Sequence, residues 1–317
     1  MKKNFIITID TEGDNMWRRF YTENAMKRIT NKNGDYLYRF QELCERYGMI
    51  PTYLVNYEMS QSKAFVELGR EGLKKKTLEI GMHMHGWNCP PYYKLQAGNK
   101  FGGDNPYIYE YPENIIEKKV DYLTKFLEDT FQTKIKSHRS GRWYIDSVYI
   151  KILKKYGYMV DCSVTPGVNW SSGSGLTEGS RGSNYNRYPS VDYEVNLDKI
   201  YKSGKSGFFE VPVTIGRKKR EKWFKYENIW LRPNGSNLKD MCKLIKLKQQ
   251  QEVDYVEFML HSSEMMPGGS PYFKTESEVN KLYYDMDKLF KYASKNYQGI
   301  GLTEYVLNKY MQYHRKE

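Results

Sequence analysis

Seven short runs of strand-forming residues recur along the 317-residue chain, at 5–9, 51–55, 78–82, 135–137, 159–162, 208–213 and 255–260. Several are apolar at consecutive positions instead of alternate ones, as strands covered on both faces are. Helical periodicities separate some of them. Val120, Leu123, Leu127 and Phe131 keep a spacing of three or four, as do Val279, Leu282, Tyr283, Met286, Leu289, Phe290 and Ala293. Leu37, Phe40, Cys44 and Tyr47 form a third such face, stopped by Gly48. Strands alternating with helices predict βαβ units, a mainly parallel sheet, and chemistry at the carboxyl ends of the strands. About seven such strands suit a barrel-like closure. No repeat or linker interrupts the pattern, so a single domain over 1–317 is expected.

Other classes of protein are excluded by composition. Aromatic residues make up 15% of the chain, which gives it ample surface to bury and argues against disorder. The start Met1-Lys2-Lys3 imitates a secretion signal, but the apolar run that follows is broken by Asp10 and Glu12. No stretch is apolar enough to cross a bilayer, and the mean hydropathy is −0.78. The cysteines Cys44, Cys89, Cys162 and Cys242 lie far apart with no C-x-x-C, the usage of a reduced compartment. A cytoplasmic protein is expected.

The histidines carry the functional signal. His83, His85, His138 and His261 fall at or just after the ends of three of the runs, and only His314 lies in the polar tail. Asp10, Glu12 and Asp14 follow the first run, Arg139 the fourth, and Asp161 ends the fifth. On a parallel sheet these ends share one face. Residues two apart on a strand point the same way, so Asp10 with Glu12, and His83 with His85, can converge on one ion. Imidazole and carboxylate donors suit zinc, with cobalt, nickel or iron as alternatives, better than calcium or magnesium.

Five segments, in order, resemble the motifs of the polysaccharide deacetylases, the NodB-homology carbohydrate esterases of family 4. They are Thr8-Ile9-Asp10-Thr11-Glu12, Glu79-Ile80-Gly81-Met82-His83, Ser137-His138-Arg139-Ser140-Gly141-Arg142, Val160-Asp161-Cys162-Ser163 and Leu260-His261-Ser262. The runs from His83 to Pro91 and from His261 to Pro271 resemble a branch associated with lipopolysaccharide or capsule biosynthesis. The resemblance spans roughly residues 4–304 and implies a distorted (β/α)7 barrel that removes an N- or O-acyl group, acetyl first, from a sugar with a divalent metal. It implies Asp10 as general base, Arg139 as its ion-pair partner, His261 as general acid and Asp161 as the residue orienting His261. Glu12 and His83 are implied as metal ligands. The sequence also departs from the family pattern. Glu12 stands in a usual Asp-Asp pair, Trp87 stands where the second His of His-x-x-x-His would fall, and His85 becomes the third candidate ligand. A catalytically silent, carbohydrate-binding relative is the alternative reading.

Trp87, Arg142, Trp143 and Trp170 lie near these motifs and are candidates for substrate contact, since aromatic faces stack on sugar rings. The segment 166–189 is rich in glycine and serine and reads as a loop that could close over a saccharide or a nucleotide- or lipid-linked sugar. The net charge of +12 is concentrated. Between 217 and 248, eleven Lys and Arg face three acidic residues, a basic patch that suits peripheral contact with an anionic membrane better than nucleic acid.

Overall fold

The computed structural model describes residues 2–17, 26–98, 105–219 and 226–314. Its strands are β1 (Lys3–Thr11), β2 (Pro51–Val55), β3 (Glu79–Met84), β4 (Ser137–Ser140), β5 (Val160–Asp161), β6 (Tyr193–Glu194), β7 (Phe209–Glu210), β8 (Ile215–Lys219), β9 (Tyr226–Trp230), β10 (Tyr255–His261) and β11 (Tyr297–Gly299). The helices are α1 (Leu37–Arg46), α2 (Lys63–Lys75), α3 (Glu113–Phe131), α4 (Ser147–Lys155), α5 (Leu238–Gln250), α6 (Glu276–Ala293) and α7 (Leu302–His314). The main sheet runs β10-β1-β2-β3-β4-β5-β7-β6. Every pairing in it is parallel except β6 with β7, and β11 joins the start of β1 in parallel. Each of the seven apolar runs overlaps one of the parallel strands β1, β2, β3, β4, β5, β7 and β10.

The curl of this sheet makes the distorted (β/α)7 barrel. No ladder joins β7 to β10 among the described residues; irregular backbone stitches the gap instead. Thr214 N donates to Glu257 O at 3.4 Å, Leu231 N to Thr214 O at 3.0 Å, and Met259 N to Leu231 O at 3.2 Å. The hairpin β8–β9 rises from this seam, between Thr214 and Leu231.

Alternation along the strands sets two cores. Phe5, Ile7 and Ile9 of β1 join the outer core with Phe40 of α1, Phe258 of β10 and Phe290 of α6. Ile6 joins an inner core with Leu54, Val160, Cys162, Phe209 and Tyr255, closed by Leu302, Tyr305 and Val306 of α7. Each large apolar side chain so buried contributes about 1.5–3 kcal/mol. Polar contacts seat α7 as well, because Thr303 N and Oγ1 donate to the half-buried Glu79 at 2.9 and 2.6 Å. Above Ile6 on the inner face of β1 the side chains become Thr8, Asp10 and Glu12. One strand thus fills the base of the barrel with hydrocarbon and its upper end with ionisable groups.

The segment 166–189 is pinned to the body. Glu110 Oε2 accepts from Leu176 N at 2.9 Å and Thr177 N at 2.6 Å, and the Tyr109 hydroxyl accepts from Arg181 N at 2.7 Å. Isolated bridges join Asn169 to Asn184 and Ser174 to Arg181. The basic cluster is divided in space. Lys248 is buried, Lys218 pairs with Asp240 at 3.0 Å, and Arg232 turns towards the barrel mouth, leaving Arg217, Lys219, Lys239, Lys243 and Lys246 exposed. Arg220, Lys222, Trp223, Phe224 and Lys225 of the same cluster lie outside the described residues. No helix among the described residues is long and apolar enough to cross a membrane.

Candidate active site

Two strands deliver the central cluster. Glu12 lies just past β1, and His83 and His85 stand two apart at the end of β3, so all three face the barrel interior. Glu12 Oε2 is 3.0 Å from His85 Nε2 and 3.4 Å from His83 Nε2, and the two imidazole nitrogens are 3.1 Å apart. A tetrahedral ion with ligands at about 2.0–2.1 Å needs edges of about 3.3–3.4 Å, so the three donor atoms fit one small divalent cation. The tautomer of His83 agrees. Its Nδ1 lies 3.0 Å from the carbonyl of Arg139, which can only accept, so Nδ1 carries a proton and Nε2 is the ring nitrogen turned to the cluster. Burial, the largest influence on Glu12, raises its pKa, but bonds to His83 and His85 outweigh this and keep it ionised. Burial holds the His85 imidazole below its ordinary value, which favours the neutral ligand form. The ring of His85 is seated against Gly141. A Cβ there would meet its Cε1 at 2.7 Å, so only glycine permits this approach.

Asp10 stands beside this cluster. Arg139, fully buried on the inner face of β4, donates from Nη1 to Asp10 Oδ1 at 2.7 Å. Its Nη2 reaches Glu257 Oε1 at 2.5 Å and Thr8 Oγ1 at 2.8 Å, and its Nε the carbonyl of Cys162 at 2.9 Å. Burial pushes the Asp10 carboxyl up, yet the charges of Arg139, His83 and His261 bring it below the usual range. The second carboxylate of the pair behaves oppositely, since burial carries Glu257 up to about 7 against the pull of Arg139. Oδ2 of Asp10 is turned to His261, whose Nε2 is 3.6 Å away.

His261 has a partner that strand-end reasoning did not single out. Glu264 Oε2 lies 3.0 Å from His261 Nδ1 and accepts from its backbone N at 2.9 Å. Arg232 Nη2 holds both oxygens of Glu264 at 3.0 Å. A carboxylate only accepts, so Nδ1 carries a proton and Nε2 is the ring nitrogen that faces Asp10. Trp17 packs its ring 4.7 Å from that of His261 and donates to Ser263 Oγ at 3.0 Å.

Two expectations are corrected by these placements. Asp161 does not meet His261. It is flanked by Val160 and Cys162, which point into the barrel, so it points outward, where its Oδ1 lies 2.6 Å from His138 Nδ1. The same pair explains His138, whose Nε2 meets the Tyr149 hydroxyl at 3.0 Å beneath α4. Arg142, expected at the substrate, instead clasps the loop 166–189: it donates to Ser174 O at 2.9 Å and to Asn105 O, and lies 3.8 Å over the Tyr107 ring. Of the tryptophans, Trp87 is buried against His85 with ring centroids 5.7 Å apart, and its indole N–H has no partner among the described residues. Trp143 and Trp170 line a cavity of about 520 Å³ that also reaches Arg232 and Glu264. Asp14 is a loop tie, bonded to Thr30, Lys32 and Asn33.

Of the residues that the sequence reading passed over, Glu264 left one signal, an acid three positions after the histidine, where it closes a capping box on His261. Arg232 left none, because it reaches the site from beyond the β8–β9 hairpin.

No family model matches the chain, and no curated protein is significantly similar to it in sequence. Solved structures share its architecture. A Mycobacterium smegmatis protein assigned provisionally as a polysaccharide deacetylase superposes with a TM-score of 0.58 over 98% of this chain and 91% of its own, at 13% identity. A Parabacteroides distasonis protein, assigned provisionally as a glycoside hydrolase/deacetylase, does so with a TM-score of 0.65 over 97% and 72%, at 9% identity. The 4-α-glucanotransferase of Thermococcus litoralis reaches 0.57 over 96% and 40%, at 12% identity. The chain therefore has the (β/α)7 barrel fold found in proteins assigned as polysaccharide deacetylases. A glucanotransferase shares the architecture, so the fold alone does not define the reaction.

Proposed function

We propose that the protein is a metal-dependent hydrolase that removes an acyl group, acetyl being the leading case, from the nitrogen or oxygen of a saccharide. The observation that carries this reading is the meeting, at one barrel mouth, of a Glu12–His83–His85 donor set with an ionised Asp10 and a histidine 3.6 Å from it. A divalent ion held by Glu12, His83 and His85 would polarise the acyl carbonyl and acidify a water.

The remaining work falls to side chains. Asp10, oriented through Oδ1 by Arg139, keeps Oδ2 available to take a proton from the attacking water. The water oxygen bonds to the acyl carbon, and the bond from that carbon to the sugar nitrogen or oxygen breaks. His261 Nε2 supplies the proton that the departing atom needs, while Glu264 stabilises the imidazolium through Nδ1. Fold neighbours assigned provisionally as a polysaccharide deacetylase and as a glycoside hydrolase/deacetylase support the saccharide as substrate.

The test is acetate release from N- and O-acetylated oligosaccharides by zinc-loaded protein, with Asp10→Asn and His261→Ala alongside. A loss of about 10²–10⁴-fold in each variant is expected. Full activity in both would remove their assigned roles. A silent carbohydrate-binding relative remains the second reading, motivated by Trp87 in place of a second-turn histidine; saccharide binding with no zinc uptake would favour it.

A further inference from the structure

The flank of the barrel built by α5 and α6 carries a charge pattern that the chemistry at the mouth does not use. The two helices precede and follow β10 and pack side by side on the sheet. Each buries one stripe, which includes Met241, Leu244 and Ile245 on α5 and Leu282, Met286 and Leu289 on α6. At 3.6 residues per turn the opposite stripes are Lys239, Lys243 and Lys246 on α5, and Lys281, Tyr284, Lys288 and Lys291 on α6. All of these opposite-stripe residues are exposed.

The carboxylates of the two helices are engaged away from this surface. Asp240 pairs with Lys218 at 3.0 Å, and Asp287 meets Arg46 at 3.4 Å and the Tyr47 hydroxyl at 2.8 Å. Glu278 closes the capping box on Thr275, buried Asp285 holds Lys281 at 2.5 Å, and Glu276 stands in the first turn of α6. Lys239, Lys243, Lys246, Lys288 and Lys291 therefore meet no carboxylate among the described residues. The hairpin β8–β9 is not part of this face. Lys218 turns to Asp240 of α5, so Arg217 and Lys219, one residue to either side, turn the other way.

Shape and side-chain chemistry narrow the partner. Helices of 13 and 18 residues lying side by side make a face about 20–27 Å long from which neither projects, which suits a plane better than the groove of a duplex. Its unpaired cations are all lysines, point charges without the planar fork with which arginine reads phosphates and bases. Between them stand Tyr284, 56% exposed and 5.1 Å from Lys288 Nζ by its ring centroid, and Leu247, 41% exposed and one turn from Lys243. An aromatic and an aliphatic side chain among lysine stems match the boundary between lipid headgroups and acyl chains.

We propose that the α5–α6 flank docks the protein on a negatively charged phospholipid bilayer. Both helices start at the mouth end of the sheet, because α5 leads into the parallel strand β10 and α6 leaves it. The docked barrel lies on its side, with its mouth opening along the membrane instead of against it. Docking does not depend on which reaction the mouth performs.

The experiment is co-sedimentation of the full chain with phosphatidylcholine vesicles made with or without phosphatidylserine. A lysine near an anionic surface contributes about 1 kcal/mol, which at 1.36 kcal/mol per decade is about fivefold in affinity. The five lysines should together favour the phosphatidylserine vesicles by at least about 100-fold at ~0.05 M salt, and most of that preference should vanish at ~0.5 M. Lys243→Gln combined with Lys246→Gln, and Lys288→Gln combined with Lys291→Gln, should each weaken binding by about 25-fold. Arg217→Gln combined with Lys219→Gln removes the same charge from the hairpin and should weaken it by less than about fivefold. Circular dichroism checks the fold of each variant. Equal sedimentation with both kinds of vesicle, equal losses in all three pairs, or a DNA duplex that binds more tightly than the phosphatidylserine vesicles at the same salt would overturn the proposal. Acetate release from a soluble acetylated oligosaccharide is read separately, without vesicles. Vesicle binding without release upholds the docking face and refutes the deacylase reading, and release without a preference for phosphatidylserine does the reverse.

Discussion

Replacing Glu264 by Gln tests the assignment of the residue behind His261. The change keeps size and one acceptor but removes the charge that faces His261 Nδ1 at 3.0 Å and Arg232 at 3.0 Å. A hydrogen bond to a charged group is worth about 1.5–3 kcal/mol, which at 1.36 kcal/mol per decade is a loss of about 10- to 150-fold in kcat/KM. The assay compares two leaving groups. Acetate release from an N-acetylated oligosaccharide needs a proton on nitrogen and should show the full loss. Release from 4-nitrophenyl acetate, whose phenolate departs unprotonated, should fall much less. Asp161→Asn is the companion variant. It disturbs a fully buried pair with His138, so it should lower stability, by up to about 3–5 kcal/mol, while kcat/KM per folded molecule stays within a few-fold. A larger catalytic loss in Asp161→Asn than in Glu264→Gln, or equal losses of Glu264→Gln on both substrates, would refute this assignment.

Other outcomes follow from the same geometry. Gly141→Ala drives a methyl into the His85 ring, so zinc affinity should weaken by about 10–100-fold while the melting temperature changes little; unchanged affinity in a competition titration would count against His85 as a ligand. Glu257 has a folded pKa raised to about 7 from an ordinary ~4.3, so its protonation favours the fold most at low pH and that advantage is lost as pH rises through 7. Wild-type stability in urea should therefore fall from pH 5 to pH 8 by more than that of Glu257→Gln, and parallel declines would contradict the raised value. Arg142→Ala should release the loop 166–189, seen as faster proteolysis there, with a higher KM for oligosaccharide and a smaller change in kcat. Loop protection equal to wild type would show that the clasp is dispensable.

The strands were legible where both faces are apolar, because burial on two sides leaves a continuous hydrophobic run in β1 and β2. Helix α2 was not, since part of its buried face is Gly69 and Gly72, which let Phe131 and Leu78 approach but carry no hydrophobic signal. Hairpin β8–β9 was hidden because Arg217, Lys218 and Lys219 face solvent and show no alternation. In the site, Asp10, Glu12, His83 and His85 were readable as pairs two apart on strands that share one inner face. Position at a strand end was not enough for Asp161, which needed the face of the strand as well as its end. The contribution of Arg232 depends on where the barrel seam turns the hairpin, a long-range consequence that no local pattern carries.

The central claim is that Glu12, His83 and His85 hold the ion on which acyl hydrolysis depends. Zinc titrated into chelator-treated protein, with acetate release from an acetylated oligosaccharide followed at each step in wild type and in His85→Ala, tests it most directly. The account predicts one zinc per wild-type chain, activity rising in proportion to occupancy, and neither uptake nor activity in the variant at the same concentrations. Acetate release that is complete before zinc is added, or zinc uptake unaffected by the loss of His85, would contradict it.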